Sequence, residues 1–208
     1  MTTKAILFDF DGVIADTEPQ YDLYFNALGE KYDLGKNFAA KIKGVILPNI
    51  LEKYFADKPE LWAKITDETL RFEQNMDFRF INGAKEFLEY LKKNNYKLAL
   101  VTSSPQAKMD VALGKMNLQK TFDALVTATQ ITQGKPNPMC YLAAAEKLGV
   151  LPDECVVFED SISGIQAGCG AGAKVVGLST TLPDEIVKKY TQNTIPHFAD
   201  LEEAVKFL

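Results

Sequence analysis

A chain of 208 residues, 47% hydrophobic and 25% charged, can bury a sizeable core as one domain or as a core with a small insertion. The formal net charge of -5 argues against the broad basic footprint of a nucleic-acid binder, while leaving room for a local basic pocket that holds a small anion. No stretch is long enough to span a bilayer, so neither a nucleic acid nor a membrane is an expected partner.

The first run, "KAILFDF" (residues 4–10), is continuously apolar, too short for a secretory h-region, and ends in Asp9 and Asp11 followed at once by Gly12. No targeting segment is expected. From about Asp16 to Asn82 no strand is visible. Instead Tyr21, Tyr24, Phe25 and Leu28 form one amphipathic stripe, and Ile50, Leu51, Tyr54 and Phe55 another. Trp62, Phe72 and Phe78 read as core aromatics of this segment. Ala84, Phe87, Leu88 and Leu91 then follow helical spacing and lead to a second β-rich run, "KLALVTS" (97–103). A third, "ALVTA" (124–128), precedes the Gly and Pro loop "QGKPNP" that carries Lys135. Tyr141, Ala144, Ala145 and Leu148 form a helix stopped by Gly149 and Pro152. "CVVFED" (155–160) and "KVVGLST" (174–180) complete the strands. Cys140, Cys155 and Cys169 are odd in number, lack paired metal-type spacing and suit a reducing, cytoplasmic setting.

Continuous apolar runs, as opposed to alternating ones, belong to strands covered on both faces. Strand and helix alternate, which predicts an α/β fold: a doubly wound parallel sheet formed by residues 1–15 and 83–208, with an inserted α-helical cap over 16–82. In such sheets the ligand crevice lies beyond the carboxyl ends of the strands, where the insertion would act as a lid.

Those strand ends carry Asp9, Asp11 and Gly12, then Thr102 and Ser103, then Glu159 and Asp160, with Lys135 as a fourth contributor. Clustered carboxylates repel one another unless a cation holds them or one takes a proton. Oxygen ligands without histidine or thiolate suit a hard ion such as Mg²⁺. A lysine and a hydroxyl beside that ion complete a pocket for a phosphoryl group. Singly, each residue has a plainer reading as a helix cap, a turn or a solvated lysine; the weight lies in their joint occurrence and order.

In that order the sequence resembles the haloacid dehalogenase superfamily of phosphohydrolases, and within it the group with a small helical cap that includes phosphoglycolate phosphatases and β-phosphoglucomutases. "FDFDGV" is similar to the first motif of that superfamily, "LALVTSS" to the second, "GKPNP" to the third and "VVFEDSISGIQAG" to the fourth. The resemblance implies a HAD-like Rossmannoid core and a Mg²⁺-dependent phosphatase of a small phosphorylated metabolite. Asp9 would be the nucleophile that forms an aspartyl phosphate, and Asp11 the general acid and then the general base. Mg²⁺ would be held by the Asp9 and Asp160 carboxylates and the Asp11 carbonyl, with Glu159 supporting that shell. Gly12, Thr102, Ser103 and Lys135 would hold the phosphoryl group.

The match to the mutases thins in the cap. Tyr21 stands near the position of their cap histidine, Leu47 near their arginine, and Ser104, Pro105 and Gln106 where they carry Ser, Lys, Asn. Lys43 and Gly44 do match a cap element, which makes Lys43 an expected substrate contact. A β-phosphoglucomutase-like transferase is the alternative within the enzymes, and a catalytically silent binding protein the alternative outside them. A dehalogenase would lack Asp11 and the acidic pair. His197 and the glycines Gly168, Gly170 and Gly172 are assigned no chemistry; the small residues let a helix pack on the sheet. A monomer is expected, since a lid needs freedom to move.

Overall fold

Strand β1 (Ala5–Phe8) is buried along its whole length, as four apolar residues between two covered faces require. The computed structural model describes residues 3–43 and 45–208. After β1 come the helices α1 (Glu18–Lys31), α2 (Phe38–Ile42), α3 (Leu47–Tyr54) and α4 (Trp62–Asn75). Alternation then begins with α5 (Ala84–Lys93), β2 (Lys97–Val101), α6 (Gln106–Lys115), β3 (Ala124–Val126) and α7 (Met139–Leu148). It continues through β4 (Cys155–Glu159), α8 (Ile162–Gly170), β5 (Lys174–Leu178), α9 (Asp184–Val187), β6 (Thr194–Ile195) and α10 (Leu201–Val205).

The strands pair in the order β3-β2-β1-β4-β5-β6, and every pairing is parallel. The doubly wound parallel sheet read from the apolar runs is therefore present, with β6 as an addition. At two residues, β6 is too short to leave a periodic signal. Apart from Glu159, which ends β4, the polar residues that end these runs lie just past the strands, so Asp9, Thr102 and Asp160 leave the ladder at the carboxyl edge of the sheet. Asp9 still donates its backbone N–H to Phe158 O at 3.1 Å and Thr102 donates to Val126 O at 2.9 Å, which fixes where each side chain departs.

Alternate side chains serve opposite faces. Ala5 and Leu7 join Val101, Val126, Tyr141 and Val157 under α7 and α8. Phe8 turns the other way, stacking on Phe158 at 5.4 Å between ring centroids, while Phe87 stacks on Phe198 at 5.0 Å. Gly168 lets α8 lie close to the sheet, because a Cβ there would fall 2.8 Å from Val175 Cγ2.

The chain divides into two compact units: an α/β unit that runs to Asp16 and resumes at Phe78, and a helical unit, Thr17–Asp77. Phe78 packs its ring against Phe10 within the α/β unit, at 6.0 Å. The helical unit has its own core of Leu28, Phe38, Ile42, Ile50, Leu51, Phe55 and Ile65. Trp62 packs on that core and donates its indole N–H to Phe55 O at 2.8 Å, while Phe72 stacks on Tyr24 at 4.3 Å. Among the described residues no helix is long and apolar enough to cross a membrane.

Candidate active site

In a sheet ordered β3-β2-β1-β4-β5-β6, the winding direction reverses between β1 and β4, and the crevice opens at their carboxyl ends. Asp9 and Asp11 follow β1; Glu159 ends β4 and Asp160 follows it. Four carboxylates are thus delivered to one point by two adjacent strands.

Lys135 is what makes this tolerable. Its Nζ donates to Asp9 Oδ1 and to Glu159 Oε1, each at 2.6 Å, and to Val101 O at 3.2 Å. Burial opposes its charge, yet Asp9 and Glu159 hold its pKa well above the ordinary lysine value. Burial pushes the Asp9 carboxyl up to about 7, Lys135 opposes that rise, and Glu159 adds to it. Glu159 is completely buried, and its two oxygens accept from five donors. Lys135 and the Tyr141 hydroxyl reach Oε1; the Asp160 N–H, the Ser161 N–H and the Ser161 hydroxyl reach Oε2. A carboxylate offers about four lone-pair sites, so this one is heavily engaged and organises its neighbours. Gly164 permits the arrangement, since a Cβ there would lie 1.7 Å from Glu159 Oε1.

Asp9, Glu159 and Asp160 each present a carboxylate oxygen within 4.8 Å of the others, all three buried. The donor set is all oxygen, which suits a hard divalent cation, and a cation would relieve the cost of ionising a buried Asp9 beside Glu159. Gly12 has φ +76°, and a Cβ there would stand 2.0 Å from Asp160 Oδ2 and 2.6 Å from Thr181 Oγ1. The Thr181 hydroxyl is buried with no hydrogen-bond partner among the described residues, so the pocket beside Asp160 contains unmet polar bonding. These residues fit a Mg²⁺ ion. The Gly12 carbonyl is itself held by the Thr180 hydroxyl at 2.6 Å.

Asp11 is positioned differently. Lys108 Nζ donates to its Oδ1 at 2.6 Å and its Oδ2 at 2.7 Å, and the Ser104 hydroxyl donates to Oδ2 at 2.9 Å. Thr102 is buried, and its hydroxyl accepts the Ser104 N–H at 3.0 Å, which shapes the turn after β2. Ser103, expected beside the phosphoryl group, has an exposed side chain. Lys43 lies in the helical unit, where its Nζ is 3.2 Å from Glu18 Oε2 and 3.7 Å from Asp22 Oδ2. Gly44 falls outside the described residues.

Sequence reasoning passed over Lys108, Tyr141 and Thr180 as site residues. For Lys108 a signal was present: a lysine in the first turn of a helix, adjacent to the apolar Met109 and one turn before Ala112. For Tyr141 there was none, because its helical spacing is that of an ordinary core residue.

Residues 6–178 match the sequence family described as haloacid dehalogenase-like hydrolase. A phosphorylated carbohydrates phosphatase of Thermotoga maritima is 36% identical over 191 residues, covering 87% of this chain and 88% of that one. A β-phosphoglucomutase of Bacillus subtilis is 29% identical over 210 residues, covering 92% of each. Among solved structures, a HAD hydrolase of family IA, variant 3, from Entamoeba histolytica aligns with a TM-score of 0.87 at 27% identity, covering 99% of each chain.

Proposed function

We propose that this chain, which belongs to the haloacid dehalogenase-like hydrolases and is a phosphoric monoester hydrolase, is a Mg²⁺-dependent phosphatase of small phosphorylated carbohydrates that works through an aspartyl phosphate. The observation that carries the reading is Lys135 bridging Asp9 and Glu159 at the point where the sheet reverses its winding.

In this reading an Asp9 carboxylate oxygen forms a bond to phosphorus while the bond from phosphorus to the ester oxygen breaks, and Asp11 supplies the proton that this oxygen needs. Water then attacks the aspartyl phosphate, Asp11 takes its proton, and inorganic phosphate leaves with Asp9 restored. Lys135 and the Thr102 and Ser103 segment neutralise and orient the transferring group, for which positioning is most of the catalysis. Gly12 keeps the backbone clear of the phosphate. When bound, Mg²⁺ would be held by the carboxylates of Asp9 and Asp160 and the Asp11 carbonyl, and would supply charge neutralisation to the phosphoryl oxygens. Glu159 would orient Lys135 and Asp160. Lys43 is the proposed contact for the part of the substrate remote from phosphorus.

The likeness to a mutase supports a second reading, in which phosphoryl transfer needs a bisphosphate primer. Hydrolysis is favoured by the turn after β2. Pro105 precedes α6, and Gln106 is engaged locally, donating to Asp110 Oδ1 at 2.8 Å and accepting from the Thr127 hydroxyl at 3.3 Å. Neither side chain supplies the cation that a second phosphate would need.

The test is phosphate release from a panel of sugar phosphates, polyol phosphates and phosphoglycolate, with Mg²⁺ and with EDTA. Metal-dependent release concentrated on sugar or polyol esters is expected. Conversion of β-glucose 1-phosphate to glucose 6-phosphate only on addition of a bisphosphate would instead establish the mutase. Silence in both assays would leave a binding protein.

A further inference from the structure

Lys108 has no exposed surface at all, and it lies in the first turn of α6. Both circumstances oppose a cation: burial penalises its charge, and the amino end of a helix carries a partial positive charge of its own. Its neighbours on the buried side of the helix are Met109 and Ala112, so an apolar residue would suit the packing there. What the ammonium achieves is a closed triangle of contacts. It reaches both oxygens of Asp11, at 2.6 and 2.7 Å, and the Ser104 hydroxyl at 2.9 Å, which in turn reaches Asp11 Oδ2 at 2.9 Å. The ring of Phe10 floors the triangle, 5.7 Å from Nζ.

We propose that Lys108, assisted by Ser104, is a positioning residue that fixes the Asp11 carboxylate in one rotamer for proton exchange with the ester oxygen and with water. This deepens the phosphatase reading and rests on Asp11 being its acid and base. Proton transfer requires heavy atoms within about 2.6–3.2 Å, and an aspartate free to sample its staggered wells would satisfy that for only part of the time. The Asp11 side chain is still 20% exposed, so one side of it meets the crevice while the other is gripped. Asp9 has a different partner, Lys135, which also serves Glu159; the two carboxylates have separate lysines for separate tasks.

The experiment separates positioning of an acid from general damage by varying the leaving group. An alkyl ester such as glucose 6-phosphate expels an alkoxide that must be protonated, whereas p-nitrophenyl phosphate expels a phenolate that needs no proton. Lys108→Met is expected to lower kcat/KM, which reports only the steps through departure of the leaving group, by about 100-fold on glucose 6-phosphate and by no more than about tenfold on the aryl ester, shifting their ratio at least about tenfold. Ser104→Ala is expected to shift the ratio in the same direction by about threefold. Equal losses on both esters, or a ratio unmoved in either variant, would overturn the inference while the wild type remained a phosphatase. Should Lys108→Met fail to fold, the ratio in Ser104→Ala decides alone. Should the wild type act on another alkyl ester of the panel instead, that ester takes the place of glucose 6-phosphate; a wild-type protein silent on every ester would overturn the phosphatase reading itself, and the inference with it.

Discussion

In the α/β unit, Lys108 meets Asp11, and Lys135, its side chain only 6% exposed, meets the buried Asp9 and Glu159, each at 2.6 Å. In the helical unit the corresponding groups stay near water: Lys31 pairs with Glu68 at 3.0 Å and Lys43 with Glu18 at 3.2 Å, all partly exposed, around a core that is aliphatic and aromatic. Buried ion pairs seldom raise stability over a well-packed apolar isostere, because the loss of hydration offsets the attraction. A fold that places three of them at one sheet edge is using them for chemistry. The helical unit keeps its paired charges where water still screens them.

That contrast can be broken most severely at Asp9. Asp9→Asn preserves shape and removes the attacking charge, so turnover should fall by at least about 10⁴-fold with the fold unchanged by circular dichroism. Turnover near that of the wild type would remove the covalent route. Next in size is the aromatic layer beneath the site. Phe158 packs on Phe8, Phe87 and Phe198, and Phe158→Ala should lower unfolding free energy by about 3–5 kcal/mol. Phe72→Ala, in the half-buried cluster of the helical unit, should cost less than half as much by denaturant titration. Asp160→Ala should weaken Mg²⁺ binding by at least about tenfold in a calorimetric titration, and an unchanged isotherm would dismiss it as a ligand. At the small end, Lys31→Met should leave the melting temperature where it was, because exposed pairs are screened by water and salt. Thiol titration adds a check on burial. At pH 8 the exposed Cys169 should react first, while burial pushes the Cys155 thiol up to about 11 and Cys140 is buried with it.

The α/β order and the strand-end residues were legible because they depend on local patterns. A continuous apolar run followed by Asp-Phe-Asp-Gly carries its own meaning, and the period of the helices between strands needs no partner to be seen. Substrate choice was less legible. Lys43, expected at the substrate, sits against Glu18 and Asp22, and which contacts a surface lysine takes depends on neighbours that no periodicity encodes.

By itself, then, the sequence determined that two aspartates, a hydroxyl and an acidic pair would stand at the ends of parallel strands, with a lysine in a Gly and Pro loop ahead of a helix, since backbone pattern and turn chemistry are short-range. Only the tertiary structure decided how the charges are shared among them. Lys108 meets Asp11 across 97 positions of chain and Lys135 meets Asp9 across 126, and Tyr141 reaches Glu159 from within a helix. Electrostatic energy falls with distance in space and is strengthened by burial, and neither quantity can be read from separation along the chain.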